Sequence, residues 1–466
     1  MKRIASLVVA AALIALPAST PSMAQRRAAA PEAAQPSLHT LTAQVSEARL
    51  RQNLERLVGF GTRHTLSAGD NRNRGIGAAQ RWTAEEFRRL SRACGNCLEI
   101  QTIGDTVTAP RIPSPSRVES IIAIQRGTTD PDRVVIITGH IDSRVSDVMN
   151  ASSDSPGAND DGSGVAAILE AARILSRHRF PGTIVYAPLA GEEQGLQGAH
   201  ILARHAKANN WKIVANLNND MIGNTQGQDG MRDTGTIRVF SEGIRADAMT
   251  PEYLAQVRRL GGENDAPSRN LSRWLDELAE RLPLGLDVRQ IWRNDRFGRG
   301  GDHSAFLDAG FPAVRITEGI ENYHRQHQDL RTENGIRYGD TIDGIDWDYL
   351  TRSTQFNVAA LAALARAPMP PEPQVEGAVQ PDTTVSWQPV PGAAAYLLRW
   401  RPTDAADWTH SVRLGEGVTR HTLPGTRIDD WVFGVSAVSA DGYQSPVASA
   451  VPGGAFRPYT PPTPRQ

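Results

Sequence analysis

Three apolar runs between Val134 and Asp220 each end in polar residues, and the rest of the chain reads as support for them. VVIITGHIDS is rich in β-branched residues and delivers His140 and Asp142 to the end of a buried strand. TIVYAPLAGEE stops on Glu192 and Glu193, and IVANLNNDMIG carries Asp220. After the first run, the turn-rich PGANDDGSG presents Asp160 and Asp161 ahead of a helical pattern. Ser163 can cap that helix, and Val165, Ile168, Leu169, Ala172 and Leu175 are spaced for burial up to about His178. A further helix spans 195–208. Alternation of this kind predicts an α/β fold, with a mostly parallel or mixed sheet covered by helices on both faces.

Upstream, the 3.6-residue pattern of Val45, Leu50, Leu54 and Leu57 predicts a helix over 41–58, and Phe87 and Leu90 mark another over 82–93. Strands follow over 118–126 and 133–138, separated by the turn GTTDPD. Downstream, residues 224–299 contain two helical patterns, VRRLGGEN and SRWLDELAERLPL, but no legible chemistry. FPAVRIT is a buried strand, and 347–366 is a long amphipathic helix closing a domain that runs from 41 to 366. Residues 367–375 are proline-rich and read as a stiff linker. Beyond it, TTVSWQPV, AAYLLRWRP, WTHSVRLG and DDWVFGVSAVSADG are short aromatic-rich strands at about ten-residue spacing, the pattern of an antiparallel sandwich over 376–452. Residues 453–466 are expected to be disordered. No candidate site residue lies beyond His327, so a chain ending near Arg366 is expected to keep its chemistry.

Composition changes this picture in two places. Lys2 and Arg3 precede an apolar run from Ile4 to Leu16, and Ser22-Met23-Ala24 supplies small residues for cleavage, so residues 1–24 read as an export signal to periplasm or medium. The run is too short for a membrane anchor. Residues 25–40, rich in Ala, Pro and Arg, are expected to be a disordered lead-in. The two cysteines, Cys94 and Cys97, form CGNC; in an oxidising compartment, and without a second pair to complete a zinc site, they point to a local disulfide. The charge balance of 50 basic and 51 acidic residues argues against a nucleic-acid or membrane-surface role.

One imidazole and several carboxylates at the open ends of strands form the pattern of an α/β site. Acidic groups brought that close repel one another unless a cation sits among them. His with Asp and Glu, without Cys, suits hydrolytic zinc better than structural zinc. Asp142, two residues from His140 on the same strand face, is placed to orient its ring. No GxSxG elbow or Cys–His arrangement competes.

GHIDS, GANDDGSG, AGEEQGLQGA and NNDMIG, in this order, resemble the co-catalytic zinc aminopeptidase family, whose relatives include bacterial leucyl aminopeptidases, plasma glutamate carboxypeptidases and glutaminyl cyclases. With GFGTRHT and GRGGDHSAF the resemblance covers roughly residues 58–366. It implies a zinc exopeptidase fold with two zinc ions. His140 and Asp220 would hold one, Glu193 and His327 the other, and Asp160 would bridge them. Glu192 would be the general base, and the peptide between Asp160 and Asp161 would be cis. Asp302 and His303 would support the ligands, while Asp161, Arg63 and His64 have structural roles.

The last ligand rests on a mixed motif, Tyr323-His324-Arg-Gln-His327-Gln-Asp329, in which His327 is favoured over His324. Trp387, Tyr396, Leu423 and FGVSAV are placed as in fibronectin type III modules, making the sandwich a candidate for contact with a surface or polymer. The expected activity is removal of N-terminal residues from peptides. A carboxypeptidase or dipeptidase on the same core is the alternative, and a non-catalytic surface-binding protein is a remote one.

Overall fold

The computed structural model describes residues 35–458. The expected export signal, most of the lead-in and residues 459–466 lie outside them. Among the described residues no helix is long and apolar enough to cross a membrane.

The centre is an eight-stranded mixed sheet: β1 (Glu99–Ala109), β2 (Ile112–Gln125), β3 (Asp130–His140), β4 (Gly182–Leu189), β5 (Lys212–Asn219), β6 (Thr236–Phe240), β7 (Asp287–Ile291) and β8 (Ala313–Glu318), in the order β1-β2-β4-β3-β5-β8-β6-β7. Strands β4, β3, β5 and β8 run parallel, which puts their C-terminal ends on one edge of the sheet. Their near-continuous burial is what a parallel strand covered on both faces requires. The hairpin β1–β2 and the pair β6–β7 extend the sheet on either side. Strands β1, β6 and β7 lack a long apolar run and escape the sequence reading.

The helices are α1 (Leu38–Thr42), α2 (Glu47–Val58), α3 (Ile76–Ala93), α4 (Gly162–Leu175), α5 (Gln197–Ala208), α6 (Pro251–Leu260), α7 (Pro267–Glu280), α8 (His303–Asp308) and α9 (Trp347–Arg366). Helices α4 and α9 pack together over β3 and β4, while α5 and α8 meet over β1, β2 and β5. The single helix expected over 41–58 is two, because Ser46 caps a new helix by accepting from the Arg49 amide. The N-cap of α4 is Asp161 rather than Ser163. The Asp161 carboxylate accepts from the Gly164 amide, whereas the Ser163 hydroxyl donates to the Asn159 carbonyl and accepts from the Ile222 amide. Cys94 and Cys97 are disulfide-bonded.

A small hairpin, β9 (Arg331–Glu333) and β10 (Ile336–Tyr338), precedes α9. The C-terminal region is all-β. Strands β11 (Gln374–Glu376) and β12 (Thr383–Ser386) form a three-stranded sheet with β15 (Arg420–Leu423), and β14 (His410–Gly415), β13 (Ala395–Pro402), β16 (Trp431–Val438) and β17 (Ala448–Ser449) form a second sheet. Val385, Trp387, Tyr396, Leu398, Phe433 and Val435 fill the core between them.

This region is docked rather than tethered. Ala367, Pro368, Pro370 and Pro371 of the expected linker are buried. Asp265, ahead of α7, receives the Arg401 guanidinium at 2.7 Å and the Ser449 hydroxyl at 2.8 Å, with Arg273 at 3.7 Å. Arg273 donates to the Ala406 carbonyl and Trp274 to the Gln444 carbonyl. The expected disordered tail begins inside this packing: Phe456 is buried, and Arg245 donates to the Ala455 carbonyl.

A chain cut at Arg366 would therefore uncover Arg273, Trp274 and Asp265, and it is expected to lose stability rather than behave as a free domain. Asp265→Ala tests the same contact in the whole chain, since it leaves Arg401 and Arg273 buried without their carboxylate. Breaking a buried pair from one side typically costs about 3–5 kcal/mol. Thermal unfolding should show a clear drop in midpoint, and an unchanged midpoint would mean that the docking carries no stability.

Candidate metal centre

His140 is the last residue of β3, Glu192 and Glu193 follow β4, and Asp220 follows β5. Because these strands are parallel neighbours, their side chains meet at one sheet edge. The loop before α4 adds Asp160 from the side. Gly157 holds a positive φ of 53°, and a Cβ there would lie 2.6 Å from Ser143 Cβ and 2.7 Å from the Asp160 carbonyl oxygen, so only glycine lets this loop close. Gly164 is as tight, with Asn219 O 2.5 Å from where its Cβ would stand. The Asp160–Asp161 peptide is cis. His327 enters from the loop after β8, also at a positive φ of 53°.

The resulting geometry has Asp160 at its centre. Its Oδ1 lies 3.0 Å from His140 Nε2 and its Oδ2 lies 2.9 Å from His327 Nε2. Glu193 Oε1 is 2.9 Å from His327 Nε2, and Asp220 Oδ1 is 4.0 Å from His140 Nε2. Two groups with mutual donor distances inside 4.8 Å thus share Asp160: His140–Asp160–Asp220 and Asp160–Glu193–His327. Glu192 joins His140 and Glu193 in a third. All these residues line a cleft of about 430 Å³.

His324 belongs to no such group. Its ring packs against Tyr338, with 5.0 Å between centroids.

Supporting hydrogen bonds orient each group. His140 Nδ1 lies 3.1 Å from the Asp142 carbonyl oxygen, a contact that fixes the ring plane with Nε2 directed at the cluster. The Asp142 carboxylate, 3.6 Å from the same ring nitrogen, accepts from the Glu192 and Glu193 amides and the Thr65 hydroxyl. It therefore shapes the Glu192–Glu193 turn more than the ring. Asp161 accepts from the His140, Gly164 and Met221 amides, tying β3, α4 and β5 together. Arg63 donates to the carbonyls of Leu57, Ile141, Pro156 and Gly157, and His64 bonds Val148 O, so both are structural. His303 bonds Asn294 O, while the carboxylate of buried Asp302 has no hydrogen-bond partner among the described residues.

Two supports escape the motif reading. Arg315, fully buried on β8, puts Nη1 2.8 Å from Asp220 Oδ2 and so leaves Oδ1 turned toward His140. Asp340 accepts from the Asn159 and Asp160 amides. Only an Arg in a mostly apolar strand and an Asp ahead of α9 could have hinted at them.

Burial and mutual repulsion dominate the electrostatics of the cluster. Burial, with the charges of Glu193, Asp220 and Asp302, pushes the Glu192 carboxyl well above the usual range against the pull of His140. Burial likewise raises Asp302 and Asp340 to about 7. Asp160 is held far below its ordinary value despite burial, because His327 and His140 face it. Glu193 Oε1 is buried with the His327 imidazole as its close polar neighbour, at 2.9 Å. Imidazole nitrogens and carboxylate oxygens, with no thiolate, form a donor set that fits zinc, and a divalent cation among them would relieve the repulsion.

The profile of peptidase family M28 matches residues 120–360. Among curated proteins, a probable zinc metalloprotease of Leptosphaeria maculans is 42% identical over 427 residues, covering 89% of this chain and 97% of the relative. One of Pyricularia oryzae is 41% identical over 430 residues, covering 89% and 84%. Among solved structures, the LapA aminopeptidase of Legionella pneumophila aligns with a TM-score of 0.51 at 18% identity, over 70% of this chain and 73% of that one, which shows a shared fold.

The position of His327 against that of His324 generates a direct test. His327→Ala is expected to lower bound metal and remove most activity, whereas His324→Ala should lose only a ring contact. Metal content of the two variants, measured after dialysis, decides between them, and loss of metal in the His324 variant alone would reverse the assignment.

Proposed function

Because the chain belongs to peptidase family M28 and is a zinc metalloprotease, we propose that it is an exported two-zinc aminopeptidase that removes N-terminal residues from short peptides. The observation that carries the two-metal reading is Asp160, one oxygen turned to each imidazole, between two donor groups that face a common cleft. His140 and Asp220 would hold one zinc, Glu193 and His327 the other, with Asp160 shared. Export rests on residues 1–24. The C-terminal region is read as a fibronectin type III module, a reading supported by its pairing of a three-stranded with a four-stranded antiparallel sheet.

When bound, the zinc pair polarises the peptide carbonyl and acidifies a water. The chain's own residues do the rest. Glu192 stands in the cleft beside the donor groups, accepts the proton of the attacking water at its carboxylate, and returns it to the departing amine nitrogen. Asp142 fixes the turn that aims it, through the Glu192 and Glu193 amides. His140 sets Nδ1 3.1 Å from a backbone carbonyl oxygen, which fixes the ring with Nε2 directed at the cleft. Arg315 prevents Asp220 from turning its second oxygen inward.

Glu192→Gln separates binding from catalysis. The amide is nearly isosteric and still hydrogen-bonds water, but it cannot take a proton. Loss of a general base typically costs about 10²–10⁴-fold, corresponding to at least about 3 kcal/mol of barrier. The variant is expected to keep its zinc and its fold while kcat collapses, and Glu193→Gln should lower zinc occupancy instead. An active Glu192→Gln enzyme, or one that had lost its metal, would overturn this division of labour.

A further inference from the structure

The cleft that gathers the metal-binding groups is lined by four arginines, Arg111, Arg144, Arg296 and Arg299. Arg296 and Arg299 share the Glu321 carboxylate, at 3.5 and 2.9 Å, and Arg238 binds the same carboxylate at 2.8 Å. Asp295, the other acid beside Arg296, also serves Arg315 and His303. Cations outnumber anions there. The other two arginines are less well matched still. Arg111 donates to the Glu193 backbone carbonyl. Arg144 places Nε 3.5 Å from Glu193 Oε2, and that nitrogen is buried without a hydrogen-bond partner. Among the described residues neither arginine has a carboxylate other than Glu193, the group assigned to metal.

Metal ions bound in the cleft would neutralise its carboxylates and leave the guanidinium groups as its net charge. A neutral peptide makes no use of them. A low-dielectric cleft lined by one sign of charge focuses its field on an oppositely charged ligand, and a guanidinium fork matches a carboxylate through two parallel hydrogen bonds. The geometry points to a substrate that carries a carboxylate next to the scissile bond, held by Arg144 with Arg111 beside it; this deepens the two-zinc peptidase reading and rests on it. A cleft of about 430 Å³ is in the size range of small-ligand sites, which fits a peptide of two or three residues. The carboxylate has two sources, the free C-terminus of a dipeptide or an acidic side chain.

The test uses the zinc-loaded full chain and paired substrates: Ala-Ala against Ala-Ala amide, and Glu p-nitroanilide against Gln p-nitroanilide. The wild type is expected to prefer the carboxylate member of at least one pair by about 10–100-fold, mainly through KM, the scale of one charged hydrogen-bonded contact. Arg144→Met should reduce that ratio about tenfold or more, and Arg144→Lys should restore part of it, since a point charge lacks the fork. Discrimination in the first pair assigns the carboxylate to the C-terminus, and discrimination in the second assigns it to the side chain. Calorimetry with a dipeptide whose carbonyl is replaced by methylene, as acid and as amide, reads binding without hydrolysis. Tighter binding of the acid that depends on Arg144 supports the inference even if no peptide is cleaved, a result that would sink the peptidase reading alone. Cleavage with no discrimination in either pair, or a ratio unmoved in Arg144→Met, overturns the inference and leaves the peptidase reading intact.

Discussion

Like charges crowded into a buried space are the constraint on which this structure depends. Asp160, Glu193 and Asp220, with Glu192 beside them, gather around His140 and His327 at one edge of the sheet, and the charge of buried Asp302 acts on Glu192 as well. Left to themselves such groups would protonate or move apart. Much of the surrounding architecture hinders the second response. Asp161, Asp142 and Asp340 commit their carboxylates to backbone amides, which fixes the loop before α4 and the turn after β4. Arg63 pins the other side of that loop through the Pro156 and Gly157 carbonyls and ties it to α2 and the end of β3 through those of Leu57 and Ile141. A cation among the acids answers the first response, and metal binding and folding are then coupled.

The same constraint explains why charged residues far from the cleft matter. Arg315 offsets Asp220 from a strand whose other residues are mostly apolar, and Asp295 in turn lies 3.5 Å from Arg315 and 3.4 Å from His303. The chain of alternating charges thus reaches back from the cluster to the loop after β7. That loop also carries Arg296 and Arg299 to the cleft. One segment therefore both supports Asp220 through Arg315 and lines the cleft.

The C-terminal sandwich answers to a different balance. A proline-rich stretch suggests separation, yet Arg401, Asp265 and Arg273 are buried between the two regions. Such charges are tolerated only when paired on both sides, so the sandwich and α7 depend on each other. Fixed packing of this kind would hold any surface contact made by the sandwich at a set orientation to the catalytic region.

The sequence by itself determined the parts governed by local pattern and short motifs. Unbroken apolar runs specified β3, β4 and β5, and helix periodicity specified α9 from Trp347 to Arg366. Motifs at strand ends and in the adjoining loop singled out His140, Asp160, Glu192, Glu193 and Asp220, because parallel strands must release their side chains at the same edge, whereas His327 was reached through the resemblance of its motif to a known family. What only the tertiary structure decided involves partners remote in sequence. Arg315 on Asp220, Asp340 on the Asp160 loop and Arg401 on Asp265 join residues 95, 180 and 136 positions apart, and no spacing rule links such pairs. The strands β1, β6 and β7 likewise exist because the sheet edge offers them partners, a property of the assembled sheet and not of their own residues.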